Sequence, residues 1–371
     1  DLTSDQELLR DTTARFIETA CPVDRVRELA ESDAGVERDY LRQAGELGWF
    51  AMLVPEEHGG GTVSGNGVLD AAVVAEERGR FLQPGPFVAM NAVAWALAAG
   101  GTDEQQSKVL PALASGDSLA TWALADLSGE WRPDGGVRAS RTGGGFLLRG
   151  AKGLVQDAHL ADWVLVTAAT DGGMSQFLVR PTAPGVSVHR LDGLDITRRL
   201  CEVRFDDVEL PESALVGEMD GAADLVERQL QVAVVLTVAE SVGAMDRDFE
   251  VVVDYAKART AFGRPIGSFQ AVKHLLADTA LLLEASKSMA VAAAHSVQEE
   301  REDAPEVASM AKAFIGDSGI DLAQNCLQVF GGIGYTWEHD HHLYLRRLTA
   351  DASLFGEPAW HRERICRLFE L

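Results

Sequence analysis

The segment RTAFGRPIGSFQAVKH, Arg259 to His274, constrains this chain more than any other stretch. It interrupts two long helical patterns, so the chain on either side must fold back as packed helices. Upstream, residues 223–258 carry the apolar run VAVVLTVA at 232–239. Downstream, Leu275, Leu282 and Met289 recur every seven residues, as do Leu276, Leu283 and Ala290, which marks one apolar helix face. The break itself holds Gly263, Pro265 and Gly267 beside Arg259, Phe262, Arg264 and Gln270. Glycine permits close backbone approach, and arginine offers a fork of donors that matches phosphate. On the residues alone, a helix connection with solvated arginines and a phosphate-contacting arm are both open.

The rest of the chain sorts by texture. Residues 1–118 follow helical spacing (Leu8, Leu9, Thr12, Phe16, Ile17), with breaks at Val54-Pro-Glu-Glu-His-Gly-Gly-Gly and near Pro84 and Pro86. Helix resumes at Thr102, where Thr102 and Gln105 make a capping-box pattern. From 119 to 221, short β-branched and aromatic runs alternate with turn clusters: Phe146-Leu-Leu, Trp163-Val-Leu-Val, Phe177-Leu-Val, then Val203, Phe205, Val208 and Leu210. Helical periodicity returns from 222 to 371. Helices, strands and helices again predict an α+β protein, with an antiparallel sheet or small barrel inserted between helical domains.

The formal charge of −24 argues against nucleic acid or an anionic membrane as partner. Local arginines can still oppose that field at a phosphate-bearing ligand. Cys21, Cys201, Cys326 and Cys366 lie far apart with no C-x-x-C pair, which reads as reduced thiols in a cytoplasmic protein. The opening DLTSDQELLR lacks the basic and apolar regions of a signal peptide. No apolar run reaches the roughly 20 residues that span a bilayer. The cluster Glu338-His-Asp-His-His342 is read as a polar surface or subunit contact. Only His339 and His342 have helical i,i+3 spacing, so no metal is assigned.

R-x-x-F-G followed by F-Q, QVFGGIGY (Gln328–Tyr335), VPEEHGG (Val54–Gly60) and FDDVELPESALVGE (Phe205–Glu218) together resemble the acyl-CoA dehydrogenase family over essentially the whole chain. The resemblance implies an N-terminal helical domain (1–118), a middle antiparallel β domain (119–221) and a C-terminal four-helix bundle (222–371). It implies FAD as cofactor and an acyl-CoA thioester as substrate, with an electron-transfer flavoprotein as acceptor. In that chemistry a carboxylate takes the Cα proton, the thioester oxygen is hydrogen-bonded, and the flavin takes the Cβ hydride. By the same resemblance Arg259, Phe262 and Gln270 contact the diphosphate and adenosine of an FAD held by a neighbouring chain. Gln328, Gly331, Gly332 and Gly334 form the backbone-accessible side of that pocket.

The parts that would hold a flavin ring depart from the family pattern. Against A-L-T-E-P-x-A-G-S-D the chain has Ala125 at the Thr position and Leu127 at the Pro position, and Glu130-Trp131-Arg132 replaces the Gly-Ser-Asp tail. Against K-x-W-I-T-N it has Leu154 at the Trp position and Gln156 at the Thr position. Backbone N–H groups remain available for a flavin on this reading. The family's two usual positions for the base fall on Gly356 and Ala233. Glu357, one residue on and held out of the α region by Pro358, is the displaced catalytic candidate. Glu240 is the other, seven residues beyond Ala233 on nearly the same helix face; burial there would raise its pKa. Arg346 and Arg347 are read as phosphate contacts or as ion pairs with carboxylates. Three functions follow: the FAD-completing partner chain of an α2β2 dehydrogenase, a self-sufficient homo-oligomeric dehydrogenase using Glu357, or a non-catalytic acyl-CoA-binding scaffold. The departures favour the first.

Overall fold

The computed structural model describes residues 2–371. Six helices open the chain: α1 (Ser4–Ala20), α2 (Val23–Glu31), α3 (Arg38–Glu46), α4 (Gly67–Arg80), α5 (Phe87–Gly100) and α6 (Asp103–Ala114). The capping box forms at α6: Thr102 Oγ1 accepts from Gln105 N at 3.2 Å, and Gln105 Oε1 accepts from Thr102 N at 3.0 Å.

The middle strands are β1 (Ala120–Ala123), β2 (Val137–Thr142), β3 (Gly145–Gln156), β4 (Trp163–Ala169), β5 (Met174–Val179), β6 (Val186–Leu191), β7 (Leu200–Pro211) and β8 (Leu215–Val216). They make one sheet in the order β6-β7-β3-β2-β4-β5-β8, with β1 beside β4. Most pairs are antiparallel, but β1 and β2 both run parallel to β4. The sheet is therefore mixed where the alternation pattern predicts antiparallel pairing, because hydropathy does not encode strand direction. Strand β3 slips register against β7 between Lys152 and Val155, and Leu154 sits there at φ +52°. That left-handed conformation strains a residue with a Cβ. The slip falls on the stretch that departs from K-x-W-I-T-N.

The C-terminal part is built from α7 (Ala223–Ala258), the short hairpin strands β9 (Thr260–Ala261) and β10 (Arg264–Pro265), α8 (Gln270–Gln298), α9 (Ala304–Phe330), α10 (His341–Ser353) and α11 (Pro358–Leu368). Helices α7 to α10 form the bundle and α11 packs on α9. Helix α4 lies tightly across α7. A Cβ on Gly79 would stand 1.9 Å from the Glu240 carbonyl oxygen, and one on Gly243 would stand 1.8 Å from that of Glu76. These two missing side chains let the backbones touch, and they bring Arg78 of α4 against Glu240 of α7.

The apolar stripe predicted on α8 is only half used. Of its leucines only Leu283 is buried; Leu275, Leu276, Leu282 and Met289 are partly covered, and Leu281 and Val291 stand 70% and 56% exposed. Leu275, Leu276 and Met289 pack against the core, whereas Leu281 and Val291 face outward.

Candidate functional site

The arm after α7 is a two-residue hairpin. Ala261 pairs with Arg264, and the loop residues Phe262 and Gly263 have φ +53° and +80°. Two positive φ values define a type I′ turn, which normally selects Asn-Gly. Phenylalanine adopts that conformation at a cost, and its ring is 95% exposed. The side chains of Arg259 and Gln270 make no hydrogen bond or ion pair among the described residues. Phe262 and Gln328 line a cavity of about 390 Å³ with Phe269, Val272 and Leu275. Gln328, Gly331, Gly332 and Tyr335 line the neighbouring one, about 760 Å³. A Cβ on Gly331 or Gly332 would meet nothing within 4 Å, so both present open backbone. The fold thus brings Phe262, Gln328, Gly331 and Gly332 together. Arg259 precedes the hairpin, Gln270 opens α8 beyond it, and neither lines either cavity. Gly334 is turned inward against Leu327, Phe330 and His341 and serves packing, not an open pocket side.

The ring-end stretches have closed on themselves. The Asp126 carboxylate accepts from Ser128 N at 2.8 Å, Ser128 Oγ at 2.6 Å and Glu130 N at 3.1 Å. Partial burial opposes ionisation, but these donors win and hold its pKa below the usual carboxylate range. Gly153 N donates to Ala125 O at 3.0 Å. The backbone N–H groups of Ser128, Glu130 and Gly153 are therefore engaged within the chain. Trp131 turns inward at 5% exposure, its ring 5.0 Å from Phe355, which also stacks on Trp122 at 6.1 Å. Gln156 is buried, and its Oε1 has no partner. Lys152 holds the loop from behind, donating to Leu124 O at 2.8 Å and Gly135 O at 2.5 Å; burial lowers its pKa to about 8.

Glu357 caps α11 at φ −69° and ψ 157°, the extended conformation that Pro358 imposes. It lines a cavity of about 310 Å³ with Asp126–Gly129, Gly153, Leu154 and Glu202. The turn before it is locked. Phe355 and Gly356 have φ +57° and +111°, and a Cβ on Gly356 would stand 2.6 Å from His361 Nε2. A side chain at Gly356 would have to displace the His361 and Trp360 rings and adopt a left-handed φ. Ala233, the other usual position, is fully buried.

Lys312, buried in α9, pins the same turn by donating to Ala352 O at 2.8 Å and Gly356 O at 2.9 Å. Burial lowers its pKa to about 7. The unfolded chain keeps that proton to about pH 10.4, so it binds more protons above pH 7 and stability rises with pH there. Lys312→Met should remove this contribution, flattening the slope of unfolding free energy between pH 7 and 8.5 by up to about 1.4 kcal/mol per pH unit. Denaturant titrations across that range test it; equal slopes would exclude Lys312 as the titrating group.

Glu240 is not poised for chemistry. It accepts from Arg198 Nη2 at 2.6 Å and lies 3.4 Å from Arg78 Nε, all buried. Burial works against its charge, but Arg198, Arg78 and Arg347 outweigh it and its pKa falls. The expected upward shift is overturned because three guanidiniums meet there. Arg198 also reaches Asp351 at 2.8 Å, and Arg347 holds Asp195 at 2.7 Å. Arg347 is therefore an internal ion-pair residue, whereas Arg346 donates to Leu194 O at 3.0 Å. Sequence reasoning missed Arg198 and Lys312; charged residues inside strand and helix patterns (Asp195–Arg199, Lys312) were the available signal. The histidine cluster is divided: His341 is buried and pairs with buried Asp248 at 2.8 Å, His342 is buried and stacks on Trp337, while Glu338 is exposed and the half-exposed Asp340 takes Arg27 at 2.7 Å.

Two helical parts flank a β domain, and an exposed hairpin lies beside open glycine backbone. Three family models match in order: the acyl-CoA dehydrogenase N-terminal domain over 3–117, the middle domain over 135–208 and the C-terminal domain over 220–368. This chain belongs to the acyl-CoA dehydrogenase family, whose members are oxidoreductases with FAD as cofactor. It is 31% identical to acyl-CoA dehydrogenase IpdE2 of Mycobacterium tuberculosis over 98% of this chain and 96% of that protein. Among solved structures it is similar to the ChsE4–ChsE5 complex of the same organism, at TM-score 0.91 and 27% identity over 100% of this chain and 98% of that one. It is also similar to the Tcur3481–Tcur3483 steroid ACAD, at TM-score 0.90 and 26% identity over 98% and 97%. No helix among the described residues is long and apolar enough to cross a membrane.

Proposed function

We propose that this chain is the FAD-completing partner subunit of an α2β2 acyl-CoA dehydrogenase, with a degraded catalytic site of its own. One contrast carries the reading. At the ring end, the Ser128, Glu130 and Gly153 N–H groups are taken up by Asp126 and Ala125, and Trp131 packs into the interior. At the arm, Phe262 projects into solvent beside the open backbone of Gly331 and Gly332. The arm fits the diphosphate and adenosine end of a dinucleotide; the ring end does not fit an isoalloxazine. The exposed Leu281 and Val291 of α8 support burial against a homologous subunit. The likeness to a ChsE4–ChsE5 complex and to a steroid ACAD supports a heteromer acting on a bulky thioester such as a steroid side chain. An electron-transfer flavoprotein would accept the electrons, in the cytoplasm.

The second reading, a self-sufficient enzyme, is favoured by Glu357 facing the same cavity as both ring-end stretches. Visible absorbance separates the two. The chain expressed alone should be colourless and inactive with acyl-CoA and a dye acceptor. Co-expressed with a homologous dehydrogenase subunit, it should carry one FAD per pair of chains. Stoichiometric flavin and turnover in the lone chain would refute the partner reading.

A further inference from the structure

We propose that Arg264 is a dinucleotide-binding residue of the arm, its guanidinium held on the Phe269 ring for a phosphate of the FAD. The inference rests on the reading of the arm as a dinucleotide contact and adds a second charged group to it. Basic side chains in this chain are almost all committed. Among the described residues only Arg259, Arg264, Lys273 and Arg367 make neither a hydrogen bond nor an ion pair, and the first three lie in the arm and the opening turn of α8. A formal charge of −24 supplies carboxylates to most exposed cations. The sequence withholds them here, since no Asp or Glu falls between Asp254 and Asp278. Positive charge is thus left uncompensated at the arm.

Arg264 alone among these four rests on an aromatic ring. It lies in β10 opposite Ala261, and its Cζ stands 4.1 Å from the centroid of Phe269. Phe262 meets the same ring edge-on, at 6.2 Å and 86°. Phe262 and Phe269 both line the cavity of about 390 Å³, so the guanidinium sits on a ring of the cavity wall. The backbone fixes that platform: Phe269 N donates to Ile266 O at 3.1 Å, and Ile266 N donates to Arg259 O at 2.8 Å. A guanidinium stacked by its face keeps its N–H donors directed outward in its own plane, free for an anion. Being pre-organised, it gives up less freedom per hydrogen bond formed. Arg259 before the hairpin and Arg264 within it offer two forks to the two phosphates of a diphosphate. The Arg264 charge is exposed, so salt should screen what it contributes.

The test measures FAD affinity by equilibrium dialysis in whichever oligomer carries flavin, the co-expressed assembly or the chain by itself. Arg264→Ala should bind FAD at least about tenfold more weakly than wild type at low salt. Raising NaCl from about 0.05 to 0.5 M should weaken wild type more than this variant, because the screened charge is already gone. Arg264→Lys keeps the charge, loses the fork and should fall between. Arg367→Ala removes an equally unpaired charge from α11 and should bind like wild type. Wild-type affinity in Arg264→Ala would overturn the inference. So would weaker binding with the wild-type salt dependence, which would make Arg264 a brace of the hairpin. Arg259→Ala reports on the arm separately: if it weakens FAD binding and Arg264→Ala does not, the arm stands and this assignment falls. Flavin in neither oligomer would overturn the arm and this assignment together.

Discussion

Arg198→Met should cost about 3–5 kcal/mol of folding stability, the effect of breaking a buried ion pair from one side. Arg198 stands between Glu240 at 2.6 Å and Asp351 at 2.8 Å, with Asp195 at 3.6 Å. The three carboxylates come from two domains, and Arg78 adds a third domain through Glu240. Removing the guanidinium leaves Glu240 and Asp351 charged in the interior with less compensation. Asp351 already shows the strain: burial lifts its pKa to about 6 against the pull of Arg198 and Arg347. Without Arg198, both carboxyls would hold protons to higher pH in the folded chain than in the unfolded one. The variant's stability therefore falls as pH rises above the unfolded carboxylate range, and part of the loss is recovered on acidification. Urea unfolding at pH 5 and pH 8 measures both effects. A wild-type midpoint at pH 8 would mean the network contributes nothing. The same arrangement explains why substitution of Glu240 would be a poor probe of catalysis, since inactivity would follow from misfolding.

Arg259→Ala should lower the affinity of the co-expressed assembly for FAD by about tenfold to a hundredfold, the worth of a charge-assisted hydrogen bond of about 1.5–3 kcal/mol. In the free chain the Arg259 backbone N–H caps α7 by donating to Tyr255 O, while its guanidinium makes no bond among the described residues and is exposed. Its removal should leave the unfolding midpoint of the lone chain where it was. Equilibrium dialysis of FAD with wild-type and variant assemblies, beside thermal melts of the lone chains, separates ligand contact from folding. Equal FAD affinity would mean the arm does not reach the dinucleotide.

Much of the fold was legible because it is written in short-range patterns. The apolar run in α7, the Thr102–Gln105 box and the glycines around 263 and 331 each act within a few residues of themselves. The pairing of β1 parallel to β4 was not legible, since alternation looks the same in either direction. The type I′ hairpin was half legible: Gly263 announces a turn, but Phe262 at its first position runs against the usual preference. The Asp126–Ser128 turn had a local signal, an Asp two residues before a Ser.

Residue order alone determined the family and the helical and strand-rich segments. The fate of the acidic groups was decided by the tertiary structure. Glu240 meets Arg198 across 42 positions of chain, and Asp195 meets Arg347 across 152. Glu357 reaches the Asp126 loop through the same folding, and Trp131 finds Phe355. Charge pairing and burial depend on which distant segments touch, and a carboxylate carries no local mark of whether it will face a guanidinium, a cavity or water.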